Sequence, residues 1–238
     1  MGMKRDIKDQ VVQLLAPGEY ETQLSDTPPG PGDNRLTFKN SGVRFKAVVL
    51  YIDMRGSTAV LNAHKPHSVA KIHKAYLFLA TKLIVERGGQ VRSYNGDSIL
   101  AFFPGSSKEV VTRAVRAAME IKYMLATECR AEFDRFSGLD FGIGIDVGEI
   151  LCVKAGIARN DNHNDLVWLG NAVNRATCLS DAAKHPFQVW ASQEVRDLME
   201  EPIRVQGPYR VERWTHARFE YNSRYEWGWS TASEWAVE

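Results

Sequence analysis

The sequence has few cysteines, and none of them belongs to a recognisable chemical pattern. Its three cysteines, Cys129, Cys152 and Cys178, lie far apart, with no Cys-x-x-Cys pair and no Cys/His pair at metal-ligand spacing. This spacing excludes a disulfide framework and a cysteine-based zinc site. The three residues are therefore predicted to be reduced, buried thiols.

Long apolar runs and blocks of like charge are also missing. No apolar stretch approaches the roughly 20 residues of a membrane-spanning helix, and segment 1–17 carries charged residues in place of the apolar core of a signal peptide. The 30 Lys and Arg residues nearly balance the 29 Asp and Glu residues, and no basic run is present. We therefore expect a cytoplasmic protein with no membrane partner and no nucleic-acid partner.

The sequence does contain enough apolar material for a single domain of catalytic size. It has 238 residues, of which 44% are hydrophobic and 25% are charged. Composition divides the chain into an N-terminal helix and Pro/Gly-rich linker over 1–40, a globular domain over 41–222 and a tail over 223–238. The tail is rich in tryptophan and is expected to pack back on the domain, with a protein-binding surface as the alternative.

Hydrophobic periodicity predicts an α+β fold for the domain. A continuous apolar run over 45–52 predicts a buried strand. Asn95-Gly96-Asp97, between two short apolar runs, predicts a β-hairpin. The remaining expected elements are helices over 68–85 and 108–128, a second hairpin over 139–147 and 150–153, a strand over 187–190, a helix over 193–199 and strands within 209–221. This order predicts helices packed against a largely antiparallel sheet.

Two acidic residues are candidates for chemistry. Asp53 follows the first predicted strand and precedes the turn Arg55-Gly56-Ser57-Thr58. A carboxylate at a strand end, followed by a glycine-containing turn with exposed amides, suits a cation and a phosphate group. Asp97 lies at the tip of the predicted hairpin, where Asp is also a common turn former. If the two strands are neighbours, both carboxylates project from the same edge of the sheet.

Four segments in order resemble the class III adenylyl and guanylyl cyclase catalytic domain. They are the strand ending in Asp53-x-x-Gly56-Ser57-Thr58, the hairpin with Gly96-Asp97, the strand FGIGIDVG over 141–148 and the helix start GNAVN over 170–174. The resemblance covers about residues 43–183. It implies a ferredoxin-like βαββαβ core with a mostly antiparallel sheet, and a head-to-tail homodimer whose active sites are built across the interface.

The resemblance also implies a reaction and a set of site residues. A ribose 3′-hydroxyl attacks the α-phosphorus of a nucleoside triphosphate while pyrophosphate leaves, which paired metals can assist. By this likeness Asp53 and Asp97 bind two divalent cations, Mn²⁺ or Mg²⁺, with the Met54 carbonyl as a further ligand. The phosphate and ribose contacts are assigned to Gly56, Ser57, Thr58 and, from the partner protomer, Asn174.

Position 178 departs from the family pattern. The family usually places there an Arg that stabilises charge on the α-phosphate, whereas this chain has Cys178, and a thiol cannot replace a guanidinium. Either the domain is weak or inactive, or another Arg takes the role. The two candidates are Arg55 in the phosphate turn and Arg175 beside the ribose Asn. We favour Arg55, because its turn already faces the triphosphate.

The base-reading positions depart as well. Ser93 and Val167 occupy the positions where purine cyclases of this family carry Lys or Glu and Asp or Cys. A site built for a purine edge depends on matched polar groups, because an unmatched buried polar group is costly. The adjacent Tyr94 and Trp168 are bulky enough to fill the volume that a smaller base leaves, although both are also typical core aromatics. These residues favour a pyrimidine base.

The short architecture and the D-x-R-G-[ST]-T turn resemble the bacterial pyrimidine cyclases of the Pycsar anti-phage systems. Those enzymes make cyclic UMP or cyclic CMP as an alarm signal for a separate effector. The expected substrate is UTP, then CTP and then ATP. Two alternatives remain open: an adenylyl cyclase with unusual base contacts, and a catalytically dead cyclase-homology module that binds nucleotide or a partner.

Overall fold

The computed structural model describes residues 2–18, 20–136, 138–158 and 160–237. Its helices are α1 (Met3–Leu15), α2 (Ser57–Ala63), α3 (Pro66–Glu86), α4 (Lys108–Tyr123), α5 (Arg130–Asp134), α6 (Asn171–Ala182), α7 (Gln193–Leu198) and α8 (Glu201–Arg204). Its strands are β1 (Glu21–Leu24), β2 (Ser41–Arg55), β3 (Gln90–Asn95), β4 (Ser98–Pro104), β5 (Asp140–Gly156), β6 (Asn164–Leu169), β7 (Val189–Ser192), β8 (Val205–Gln206), β9 (Val211–Glu212), β10 (Thr215–Tyr221) and β11 (Arg224–Thr231).

One large sheet organises the molecule. In the described ranges it has nine strands, with the order β10-β11-β7-β5-β2-β4-β3 and with β1 and β6 added beside β2 and β5. Central β2 is antiparallel to both neighbours, β4 and β5, whereas β1–β2 and β5–β7 are parallel pairs. The mostly antiparallel sheet with packed helices confirms the predicted fold class.

Local sequence signals explain the elements that lead to the site. Helix α3 begins at Pro66, whose fixed φ suits the first helical position. The chain turns after α3 at Gly88, which has a φ of 82° that favours glycine. Ser107 caps α4 by accepting a hydrogen bond from the Val110 amide at 3.3 Å. The predicted hairpin at 95–97 is present as the β3–β4 connection.

Two predicted elements differ from the structure. The helix expected over 108–128 ends at Tyr123 and continues as a π-helical turn, Met124–Glu128. The second hairpin is wrong, because β5 is one strand of 17 residues that pairs with β2 through Gly148 without turning. The true hairpin partner of β5 is β6, which follows Gly156.

The sheet buries a different layer on each face. Because side chains alternate along a strand, Val48, Leu50 and Ile52 of β2 join the core formed with α3 and α4, which we call the α3/α4 face. Phe45 and Val49 point to the opposite side and pack with residues of β6 and α6, which we call the α6 face. By the same alternation Asp53 lies on the α6 face.

The glycines of the FGIGIDVG strand let α6 approach the sheet closely. A methyl group on Gly144 would overlap the backbone of Ala176 and Ser180, and one on Gly142 would overlap Ser180. Only glycine fits these positions without displacing the helix. The C-terminal half of α6 therefore lies over β5, beside the end of β2 that carries Asp53.

The ends of the chain differ in how they pack. The predicted tail over 223–238 begins with β11, which pairs with β10 and β7 in the main sheet. Trp229 and Trp235 pack against the α3/α4 core, as expected from packing back on the domain, whereas Trp227 is half exposed. Helix α1 has no buried residue. Within the described ranges, no helix combines the length and hydrophobicity needed to cross a bilayer.

Candidate active site

The structure brings the two candidate carboxylates together. Asp53 lies two residues before the end of β2, and Asp97 lies at the tip of the β3–β4 hairpin, where Ile99 pairs with Ile52 of β2. The pKa of Asp53 is raised by burial and, next, by the charge of Asp97, while the Arg55 guanidinium acts in the opposite direction. The two carboxylates therefore share one half-buried edge on the α6 face.

This edge fits a divalent cation. Oδ2 of Asp97 is buried and accepts no hydrogen bond from the described part of the chain. A buried carboxylate oxygen without a donor, beside a second carboxylate, is stabilised by a hard cation with oxygen ligands. No cluster of three or more His, Cys, Asp or Glu side chains surrounds the edge in the described residues. The Met54 side chain is buried in the α3/α4 core, so only its backbone carbonyl is suited to join the two carboxylates.

The turn after Asp53 exposes backbone donors. Gly56 has a φ of 70° and starts the short helix α2. The first intrahelical hydrogen bonds of α2 run from the Ala59 and Val60 amides to the Gly56 carbonyl. The amides of Ser57 and Thr58 precede these bonds, as the first amides of a helix do. The predicted phosphate turn therefore leaves the Ser57 and Thr58 amides outside the helix hydrogen bonds.

Arg55 lies on the α6 face, two residues after Asp53. Its guanidinium donates to the Ser180 carbonyl at the end of α6 and lies 3.7 Å from the exposed Asp181 carboxylate. Its charge also acts on the Asp53 carboxyl group. Arg55 is therefore the candidate Arg that the structure places next to the carboxylate edge.

Arg175, the other candidate, is held by acidic partners. Nη1 donates to the buried Asp146 carboxylate at 3.2 Å, and Nε donates to Glu226 at 3.1 Å. The guanidinium carbon also lies 5.0 Å from the centre of the Tyr221 ring. These three contacts bind Arg175 to the fold of its own chain.

The other predicted residues of α6, Asn174 and Cys178, are four residues apart and so lie on the same side of the helix, but they differ in burial. Asn174 is exposed to solvent. Cys178 packs against the cluster that contains Trp190 and Phe219. Burial, followed by nearby acidic charges, raises the pKa of Cys178, so its thiol remains neutral at physiological pH. All three cysteines are free thiols as predicted, but only Cys152 is fully buried.

The chain resembles known proteins both in sequence and in structure. No protein-family model matches the chain. A uridylate cyclase of Xanthomonas perforans is 38% identical over 168 residues, which cover 68% of this chain and 70% of the relative. A uridylate cyclase of Burkholderia cepacia is 33% identical over 195 residues, covering 80% and 82%. The chain belongs to the uridylate cyclase family.

Solved structures show that this chain has the class III cyclase fold. The guanylyl cyclase Cya2 matches with a TM-score of 0.66 at 22% identity, over 81% of this chain and 94% of that one. The adenylyl cyclase CyaB from P. aeruginosa matches with a TM-score of 0.63 at 20% identity, over 80% and 95%. Together with the family membership, the fold identifies the protein as a nucleotidyl cyclase, a phosphorus–oxygen lyase.

The residues that are predicted to contact the base differ in how deeply they are buried. The Trp168 ring is buried, with the ring centres of Phe102 and Phe45 at 5.0 and 6.0 Å, which agrees with the core-aromatic alternative. Tyr94 is half exposed, and its hydroxyl lies 2.9 Å from Thr81 Oγ1.

Ser93 and Val167 do not meet within one chain. Ser93 lies on β3, at one end of the sheet beyond β4, whereas Val167 lies on β6 on the other side of β2. Ser93 is half-buried and Val167 is exposed. A base pocket that uses both positions therefore needs two copies of the chain.

Sequence reasoning missed two residues at the carboxylate edge. Tyr51 lies on the same face as Asp53, and its pKa is raised chiefly by burial and further by the charges of Asp53, Asp181 and Asp97, against a hydrogen bond with Ser98. The period-two spacing of Tyr51, Asp53 and Arg55 was a signal for their shared face. Asp181 carried no such signal, because it reaches the edge only through the packing of α6 on β5.

Proposed function

We propose that this cyclase converts UTP, with CTP as the next preferred substrate, into the 3′,5′-cyclic monophosphate and pyrophosphate. The observation that carries the proposal is the paired Asp53 and Asp97 edge, with its unpartnered buried carboxylate oxygen. Two convergent carboxylates are what a metal-assisted attack on a triphosphate requires, and a pure binding module has no need for them. The similarity to uridylate cyclases supports the choice of UTP.

The edge residues have distinct proposed roles. Asp53, Asp97 and the Met54 carbonyl would hold two divalent cations, Mn²⁺ or Mg²⁺, which supply Lewis-acid chemistry to the 3′-hydroxyl and the leaving group. The Gly56, Ser57 and Thr58 turn binds the phosphates through its amides and hydroxyls.

Arg55 is proposed to stabilise the negative charge that develops on the α-phosphate. It is close enough to the edge for its charge to act on Asp53, and its present partner Asp181 is mostly exposed at 3.7 Å. Exposed ion pairs contribute little stability, so exchanging Asp181 for a phosphate group costs little. Arg175 would have to leave the buried carboxylate of Asp146 to do the same, which is far more costly.

The active site is proposed to be composite in a homodimer. Asn174 is exposed on α6, where it is free to orient the ribose of a nucleotide bound by the partner's carboxylates. Ser93 and Val167 lie on opposite sides of β2 in one chain, so a site across the interface would bring one from each protomer to the base. Neither side chain offers the charged or acidic group that reads a purine edge.

The product is proposed to act as a second messenger. A cyclic pyrimidine nucleotide in the cytoplasm is a diffusible signal that requires a separate effector to read it. The resemblance to the anti-phage pyrimidine cyclases is the ground for proposing a role in antiviral defence.

The test is to incubate the purified protein with each of the four ribonucleoside triphosphates and Mn²⁺, and to identify products by mass spectrometry. We expect cyclic UMP as the main product, cyclic CMP next, and no product from the Asp53→Asn variant. A protein that forms only cyclic AMP is an adenylyl cyclase. Nucleotide binding without any product would identify a dead cyclase-homology module and overturn the proposal.

A further inference from the structure

Helix α1 presents an apolar face that its own chain leaves exposed. Helical geometry places Met3, Ile7, Val11 and Leu14 along one side, and none of the helix residues is buried in the described structure. A helix of 13 residues is only marginally stable in water unless its apolar face is packed. Helix α1 would therefore be more stable with its apolar face packed against another surface.

A second uncovered apolar surface lies on the outer side of α3. It is a groove of about 670 Å³ between α3, the π-helical turn and α5, which we call the α3 groove. Its walls are mostly apolar and include Phe78, Leu79, Met124, Phe133 and Phe136. Phe78 is 72% exposed, which is unusual for a large aromatic side chain without a partner.

The two surfaces match in length. The apolar face of α1 runs from Met3 to Leu15, and the α3 wall of the groove runs from Lys71 to Leu83. Each spans twelve helical steps, about 18 Å at the α-helical rise. One α1 helix laid along the groove would cover its whole length.

The charges at the borders also match. Helical geometry places Lys8 on one side of the α1 apolar face and Asp6 on the other. The groove has Lys71 and Lys82 on its α3 wall and Glu132 on its α5 wall. With Asp6 toward α3 and Lys8 toward α5, opposite charges meet on both sides of the groove.

In the described structure α1 leaves the α3 groove of its own chain open, and a short segment joins the helix to the sheet. The helix ends at Leu15, and Glu21 is fixed in the sheet opposite Ser41. The chain between Leu15 and Glu21 has six Cα steps, which extend to at most about 21 Å.

The near end of the groove lies farther from Ser41 than this length. Ile84, next to the groove, and Phe103 both contact Gly89, and Phe103 pairs with Val48. Val48 is seven residues from Ser41 along β2, about 23 Å at the usual strand rise. The helix layer lies about 10 Å above the sheet, which brings the separation to about 25 Å.

We propose that α1 of one copy docks its apolar face into the α3 groove of a second copy. This contact is independent of the proposed catalytic roles, because no residue of the carboxylate edge takes part in it. A single interface of this kind would cover both the apolar face of α1 and the α3 groove.

A cross-linking experiment tests the contact directly. Cys129 lines the groove, so a Val11→Cys variant treated with a short bismaleimide should give a covalent dimer joining positions 11 and 129. Gln13→Cys, on the polar side of α1, is the matched control and should give much less dimer. Adding Cys129→Ser to the Val11→Cys variant should remove the product. Mixing ¹⁴N- and ¹⁵N-labelled chains shows whether each link joins two copies.

Self-association supplies the second readout. Val11→Asp and Phe78→Asp should each weaken the dimer by at least about tenfold in sedimentation, since each buries a charge in the apolar contact. Lys8→Glu and Glu132→Lys should each weaken it less, and the two together should restore it. Circular dichroism checks that every variant is folded.

Three results would overturn the proposal. One is a cross-link confined to single chains or absent from the Val11→Cys variant. Another is self-association that Val11→Asp and Phe78→Asp leave unchanged. The third is a small amphiphile that native mass spectrometry finds bound equally with and without residues 1–16, and that Phe78→Asp displaces.

Discussion

Burial and the charge of Asp97 together raise the pKa of Asp53 across the β2–β4 strand pair. The two side chains come from segments separated by the whole of α3, yet the antiparallel pairing places them at one edge. Their mutual repulsion is a cost that the fold carries in the absence of a cation. A divalent cation at this edge would attract both carboxylates and so offset their mutual repulsion.

The first prediction concerns this pair. Asp97→Asn and Asp53→Asn should each abolish cyclisation and leave the fold intact, because neither carboxylate supports the core. Mn²⁺ should raise the melting temperature of the native chain through preferential binding to the folded state, and either substitution should remove that increase. Asp197→Asn, an exposed carboxylate on α7, is the control. Normal turnover by Asp97→Asn would contradict the paired-metal assignment.

The second prediction is a pH dependence of the metal-free chain. Because the folded pKa of Asp53 is raised above its ordinary value of 3.8, the folded state binds more protons than the unfolded state just above that pH. Stability therefore decreases as pH rises through this interval and is favoured at the acidic end. Asp97→Asn removes the charge that contributes to the raised pKa of Asp53, so the stability of this variant should decrease less steeply with pH.

The measurement is thermal unfolding in the presence of EDTA at a series of pH values above 3.8. The buried Asp146, whose pKa is also raised, contributes the same slope to both proteins, so the comparison isolates the Asp53–Asp97 pair. Identical pH profiles for the native chain and Asp97→Asn would show that the two carboxyl groups do not interact.

Several features of the fold follow from local sequence. A continuous apolar run and an Asn-Gly turn are sufficient to predict β2 and the β3–β4 hairpin, since both signals act over a few residues. The sequence around Gly148 predicts a turn, whereas the structure has a strand, because glycine serves both purposes. In β5 it accommodates the Ala172 methyl group of α6, and no local pattern distinguishes close packing from a turn.

The site was harder to predict than the fold for the same reason. The spacing of Asp53 and Arg55 places both on one face, but the partner of Arg175 is the buried Asp146 on β5, which only tertiary packing reveals. Trp168 is a second example. Side chains alternate along β6, so either Trp168 or Val167 is buried, and the sequence alone does not tell which of the two faces the core.

The third prediction is that Arg55→Ala lowers kcat by about two to three orders of magnitude with a smaller change in KM, as removal of one preorganised donor does. Arg55→Lys should recover activity only in part, because an ammonium keeps the charge without the planar fork. Steady-state kinetics measures both. Near-normal turnover by a folded Arg55→Ala protein would mean that Arg55 does not take the role of the family Arg that Cys178 replaces.

The fourth prediction is that Arg175→Ala acts on stability. The substitution leaves the Asp146 carboxylate, which is 1% exposed, without its cationic partner. Breaking such a buried pair costs about 3 kcal/mol or more, to be measured by denaturant unfolding. The second-site change Asp146→Asn should recover part of this loss, because it removes the uncompensated charge. A stable Arg175→Ala protein with lost turnover would instead assign the catalytic charge to α6.

The last prediction tests whether each active site is shared between two chains. Asp53→Ala and Asn174→Ala should both be inactive alone. If Asp53 from one protomer works with Asn174 of the other, a mixed dimer has one site with both defects and one intact site. Equal mixing gives half mixed dimers, so activity should recover to about one quarter of the native value. The control is a mixture of Asp53→Ala with Asp97→Ala, in which every site keeps one defective carboxylate and no recovery is expected. Lack of recovery in the first mixture, after labelled chains have been shown to exchange, would place the complete site within one chain.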